Sequence, residues 1–210
     1  INTVDTFVIY DDVNYINKGY INRNSILVNG KKYLFTLELI GASQNKLISD
    51  IIVGNNQNKL LKTIQAAYSK APFFTKTYPI LENILTQKET NLAKFIYCSL
   101  ENISDYLQIN TKYIFSSDIE KDNTLKSQQK ILDIVRSLNE TNYINAIGGR
   151  QLYDESIFKQ ENIKLQFIET EIQKYAQFNN TFVPNLSIID ILMFNSPDEI
   201  HIMLSKFKLI

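Results

Sequence analysis

Tyr143-Ile-Asn-Ala-Ile-Gly-Gly-Arg-Gln-Leu-Tyr153 runs from an apolar stretch into two adjacent glycines and then into a polar segment of helical character. The run over residues 143–147 is too short for a helix and reads as a strand. Gly148 and Gly149 at its end permit backbone conformations that a Cβ forbids, and they let a ligand approach the main chain closely. Strand, turn and helix in this order form part of a βαβ unit. In sheets built from such units, ligands sit at the carboxyl ends of the strands. The glycine pair is therefore a candidate binding element, read either as N–H donors around an anion or as a tight strand-to-helix turn. Its spacing matches neither a dinucleotide fingerprint nor a Walker A loop.

Outward from this stretch the chain alternates. Residues 112–115 read as a strand, 124–138 as a helix with Ile131, Ile134, Val135 and Leu138 inward, 154–160 as a short helix and 163–168 as a strand. Toward the amino end, residues 6–10 (TFVIY) are β-branched and aromatic, hence a buried strand. Such alternation predicts an α/β protein with a mostly parallel sheet flanked by helices and joined by right-handed crossovers. Asn29-Gly30 lies between strand-like runs at 25–28 and 31–39, which predicts an inserted β-hairpin with a type I′ turn. Residues 48–53 read as a further short strand. Helical spacing over 57–70, 79–86 and 90–108 predicts a helical insertion at roughly 57–108. Residues 182–184 read as extended, and 187–195 and 198–207 as helices.

The length of 210 residues suits a single domain, and 44% hydrophobic residues suffice for its core. Lys and Arg number 22 and so do Asp and Glu, so the chain carries no overall footprint for nucleic acid. The longest basic cluster is Lys31-Lys32. One cysteine, Cys98, excludes an internal disulfide framework. With one histidine, His201, a zinc site built from protein ligands is not expected, and no metal ligands are assigned. No apolar run reaches the length of a membrane span and no signal peptide is visible, so the expected location is cytoplasmic. Twelve Tyr and twelve Phe suit sugar stacking or a homodimer interface equally.

Candidate chemistry concentrates in polar segments after strands. Asp11 and Asp12 end the run over 6–10, and such carboxylates accept protons, bind sugar hydroxyls or hold Mg²⁺, although Asp also favours strand-ending turns. Asn22-Arg23-Asn24, preceded by Tyr15, Lys18 and Tyr20, offers a guanidinium fork and two amides for an anionic group. Ser116 follows the strand at 112–115. Asn145, Gly148, Gly149, Arg150 and Tyr153 complete the set. Ser187-Ile-Ile-Asp190 reads as a capping box, and Cys98 as a buried small hydrophobe.

Five segments carry a family resemblance: residues 5–15 (DTFVIYDDVNY), 22–24 (NRN), 68–74 (YSKAPFF), 143–153 and 187–195 (SIIDILMFN). Together they resemble the WbqC-like family of bacterial proteins encoded in O-antigen and other polysaccharide gene clusters. The resemblance implies a further strand ahead of these segments, which is not expected among these 210 residues. With that strand restored the order is similar to the nucleotide-binding, Rossmann-like HUP folds. The resemblance implies a transferase that modifies an amino sugar by acyl or aminoacyl (glycyl) transfer in surface polysaccharide biosynthesis. Its substrate would be a nucleotide-linked sugar with an activated acyl donor, and no resident cofactor is assigned. Arg150 departs from the Gln or Lys expected after the glycines. Two other readings stand beside this one: a HUP-like enzyme that uses ATP to form adenylates or transfer nucleotidyl groups, and a non-catalytic sugar-binding protein.

Overall fold

A computed structural model describes residues 1–179 and 181–210. In chain order the strands are β1 (Thr6–Ile9), β2 (Arg23–Val28), β3 (Lys31–Thr36), β4 (Leu39–Ile40), β5 (Ile52–Val53), β6 (Lys112–Phe115), β7 (Asn142–Ala146), β8 (Lys164–Thr170) and β9 (Phe207–Leu209). The helices are α1 (Gln57–Tyr68), α2 (Phe74–Thr86), α3 (Leu92–Tyr106), α4 (Ser127–Ser137), α5 (Glu155–Gln160), α6 (Ile188–Phe194) and α7 (Pro197–Leu204). The chain is a mixed α/β protein, and its contacts divide it into two compact units.

The first unit comprises Ile1–Tyr10, Thr111–Glu171 and Leu204–Ile210. Its sheets contain the expected parallel pairs: β1 beside β6, with Thr6 opposite Lys112, and β7 beside β8, with Asn142 opposite Lys164. The two pairs form separate ladders rather than one hydrogen-bonded sheet. The core gathers around α4, whose Leu132, Ile134 and Val135 are buried with Phe158 of α5, and Val8, Tyr143 and Leu165 pack against them. The sequence places a helix over 198–207, but the helix ends at Leu204 and Phe207–Leu209 returns as β9, antiparallel to β8. Phe207-Lys-Leu is too short a run for a period of two to show against the helical spacing that precedes it.

The second unit comprises Asp11–Asn110 and Ile172–Met203. The hairpin forms as expected, β2 antiparallel to β3 with Val28 opposite Lys31. Asn29 and Gly30 both take positive φ, 50° and 71°, the geometry that a type I′ turn demands. Ile26 and Leu27 are buried on both faces of β2 and pack with Ile64 and Tyr68 of α1, Leu81 and Ile84 of α2 and Met193 of α6. A second cluster joins Tyr15, Leu37, Ile51, Val53, Leu60, Leu92 and Phe95. The run over 48–53 is a turn of 3₁₀ helix at Ile48–Asp50 followed by β5, which pairs with β4. Helix α2 begins at Phe74, so Pro79 lies inside it rather than at its start. The Phe73 carbonyl accepts from the Lys76 and Thr77 N–H groups and opens the helix early.

Candidate functional site

The candidate residues fall into two groups, one in each unit. In the second unit, residues 11–15 run alongside residues 46–49. The Asp11 carbonyl accepts from Ser49 N–H at 3.0 Å, the Val13 carbonyl from Ile48 N–H at 3.0 Å, and Tyr15 N–H donates to the Lys46 carbonyl at 2.9 Å. Both acids of this segment are turned inward. Asp11 is 3% exposed, and both carboxylate oxygens of Asp12 are sealed from solvent. A turn acid chosen only for its conformation stays in water, because burying a carboxylate costs several kcal/mol unless the protein compensates it.

The neighbouring polar residues are largely committed to the fold. Tyr15 is buried and donates its hydroxyl hydrogen to Asn22 Oδ1 at 2.8 Å, while Asn22 Nδ2 donates to the Leu37 carbonyl at 2.8 Å. Arg23 donates through Nε to the Gly19 carbonyl at 2.8 Å and through Nη2 to the Lys18 carbonyl. Its guanidinium carbon lies 6.0 Å from the centre of the Tyr20 ring. Lys18 takes φ 60°, so the arginine closes a loop whose backbone is in the left-handed region. Asn24 Oδ1 accepts from Ser25 N–H. Arg23 is thus a loop clamp with part of its fork engaged.

In the first unit, Ser116 follows β6 at the start of a 3₁₀ turn and is fully buried, with its Oγ unpartnered among the described residues. Its carbonyl accepts from Lys121 Nζ. The stretch over 143–153 closes around Asn145. Its Nδ2 donates to the hydroxyls of Tyr143 at 3.1 Å and Tyr153 at 2.9 Å, and its Oδ1 accepts from Ala146 N–H at 2.7 Å. The two tyrosine oxygens are 3.2 Å apart. Tyr143 stacks on the buried Phe158 ring, and Tyr153 meets the same ring edge to face. Burial and the Tyr153 hydroxyl push the Tyr143 phenol well above its ordinary range.

The glycines behave differently from the conformational reading. Ile147–Leu152 is a 3₁₀ helix, and neither Gly148 nor Gly149 takes a positive φ. A Cβ on Gly149 would lie 3.2 Å from Asn145 Nδ2, so this glycine makes room for the amide between the tyrosines. A Cβ on Gly148 would meet nothing within 4 Å, so its main chain is open to approach. Arg150 is exposed. Ser187 caps α6 as expected, accepting from Ile189 N–H at 3.3 Å, but Asp190 is no capping partner. It is fully buried, and Oδ1 accepts from Tyr68 at 2.6 Å while Oδ2 accepts from Tyr175 and Gln177, each at 2.7 Å. His201 is exposed on α7.

Lys130 escaped the sequence reading. It is 7% exposed on α4, with Nζ 5.3 Å from the centre of the Tyr10 ring. Its position four residues before Ile134 places it on the apolar face, the signal that could have singled it out.

The chain is thus a mixed α/β protein that carries an inward acid pair in one unit and a tyrosine-amide cluster at the end of a parallel strand in the other. The chain belongs to the WbqC-like protein family, whose profile matches residues 1–202. It is 27% identical over 194 residues to the uncharacterized protein Rv1507c of Mycobacterium tuberculosis, a similarity covering 90% of this chain and 83% of that protein. No solved structure matches the chain. Among the described residues, no helix is long and apolar enough to cross a membrane, and no three His, Cys, Asp or Glu side chains gather as metal ligands.

Proposed function

We propose that the chain is a transferase that modifies an amino sugar by acyl or aminoacyl transfer in bacterial surface polysaccharide biosynthesis, acting on a nucleotide-linked sugar. The observation that carries this reading is the inward placement of Asp11 and Asp12. A sugar amine must lose a proton as it attacks an acyl carbonyl, and a shielded carboxylate suits that transfer. An activated donor supplies the leaving group, which eases the demand on the protein's own acid–base groups. Arg23 holds the loop over Lys18 and Gly19 rather than acting as a free anion clamp, and Gly148 leaves main chain open beside Arg150. Incubating the full chain with amino-sugar nucleotides and activated acyl or aminoacyl donors, with mass spectrometry of the sugar, tests the reading.

A second reading draws on the parallel β1–β6 pair, which ends at Phe115, just before the buried Ser116. Carboxyl ends of parallel strands are where nucleotides bind in doubly wound sheets, which favours an ATP-using adenylate-forming enzyme. Release of pyrophosphate from ATP in the same incubations separates the two.

A further inference from the structure

Charge in this neutral chain is segregated. Residues 13–37 carry Lys18, Arg23, Lys31 and Lys32 and no acid, and residues 51–81 carry Lys59, Lys62, Lys70 and Lys76 and no acid. The fold brings these two acid-free segments together, because the β2–β3 hairpin packs on α1 through Ile26, Leu27, Ile64 and Tyr68. Between the hairpin tip and the helix lies a groove with a volume of about 550 Å³, lined by Val28, Asn29 and Tyr33 on one side and Lys59, Lys62 and Ala66 on the other. A contiguous cavity of about 380 Å³ shares Asn29, Ala66 and Ala67 and reaches Lys70 and Phe178. Among the described residues no carboxylate lines either one.

Lys59, Lys62, Ala66 and Lys70 recur at the three- and four-residue spacing that makes one stripe along a helix. The alanine keeps the floor of the stripe low while the lysines stand at its ends. Lys59 also occupies the first turn of α1, which carries no acid. Acids are favoured there by the helix dipole, so a cation in their place leaves a positive field that an incoming anion would satisfy. Opposite, Tyr33 presents a ring that is 48% exposed. Lysine is a compact point charge suited to phosphate, whereas planar carboxylates favour the arginine fork, and no arginine lines the groove.

We propose that this groove is a binding site for a nucleoside diphosphate group, with its pyrophosphate on Lys59 and Lys62 and its base against Tyr33. The site is separate in its residues from the acid pair, and the lysine and tyrosine variants distinguish nucleotide held in this groove from a nucleotide-linked sugar held at the acids. The test is calorimetric titration of the full chain with UDP, ADP, inorganic pyrophosphate and a hexaglutamate peptide. Lys59→Gln/Lys62→Gln and Tyr33→Ala variants are compared after circular dichroism shows native folding, which their exposed positions allow. The nucleotides should bind at least about tenfold more tightly than pyrophosphate, and the double lysine change should weaken them about tenfold or more. Tyr33→Ala should erase the preference for nucleotide over pyrophosphate while leaving pyrophosphate binding in place. Absence of nucleotide binding at millimolar concentration, binding unmoved by the lysine changes, or hexaglutamate binding as tightly as UDP would each overturn the proposal.

Discussion

Tyr68 and Asp190, 122 residues apart in sequence, are joined by a hydrogen bond of 2.6 Å from the phenol to the carboxylate Oδ1. The same phenol oxygen accepts from Leu27 N–H at 2.8 Å, so one side chain ties α1 to both α6 and β2. Tyr175 and Gln177 complete the carboxylate's shell, and Gln177 also exchanges two hydrogen bonds with the main chain of Val183. Two segments of the family resemblance therefore meet each other: residues 68–74 and 187–195 touch through this bond and through Phe73 N–H on the Met193 carbonyl.

Replacing Asp190 by Ala leaves two phenols and an amide without their buried acceptor. Each such group costs on the order of 1–3 kcal/mol. Urea unfolding should show a loss of about 3 kcal/mol or more, against about 1–3 kcal/mol for Tyr68→Phe, which leaves Leu27 N–H unsatisfied. Equal stability of Asp190→Ala and the parent would show that the network does not hold the unit together.

The phenols also set an alkaline limit. Burial first, then the Asp190 carboxylate, raises Tyr68 and Tyr175 above the ordinary phenol range, and burial with the Tyr153 hydroxyl raises Tyr143. A group whose folded pKa is raised contributes stability that is fully present below its unfolded value, about pH 10, and is lost as pH climbs toward the folded value. Stability measured by denaturant should thus be level for these groups below pH 10. Above it, stability should fall by up to about 1.4 kcal/mol per pH unit for each phenol. Tyr68→Phe should make the fall shallower.

The two glycines predict opposite outcomes. Gly148→Ala meets open space at an ordinary φ, so unfolding should change by no more than about 0.5 kcal/mol. Gly149→Ala presses on the Asn145 amide and through it on Tyr143 and Tyr153, and should lower the thermal midpoint measurably. A loss of activity in Gly148→Ala with unchanged stability would mark that main chain as the place where a ligand approaches.

Legibility in the sequence follows the range of the signal. Asn29-Gly30 announced its hairpin because turn type is set within two residues. β6 and α1 followed from local period. β9 was hidden because its pairing with β8 depends on residues some forty positions away. Asp190 read as a cap because Ser187 does cap α6. Its true partners, Tyr68, Tyr175 and Gln177, are brought to it only by the packed fold. Asp11 and Asp12 were visible as acids at the end of a strand, but their burial belongs to the packed fold, in which residues 11–15 run alongside residues 46–49. The role of Arg23 shifted for a similar reason: its fork is met by the carbonyls of a nearby loop with a left-handed residue.

The acid pair carries the central claim, and an Asp11→Asn/Asp12→Asn variant tests it most directly. The variant and the parent chain are assayed side by side for acylated amino-sugar nucleotide by mass spectrometry, with circular dichroism confirming equal folding. Loss of a positioned general base lowers the rate by about 10²-fold or more, and a deficit of that size in the folded variant is the predicted result. Equal rates of product formation by the two proteins would contradict it.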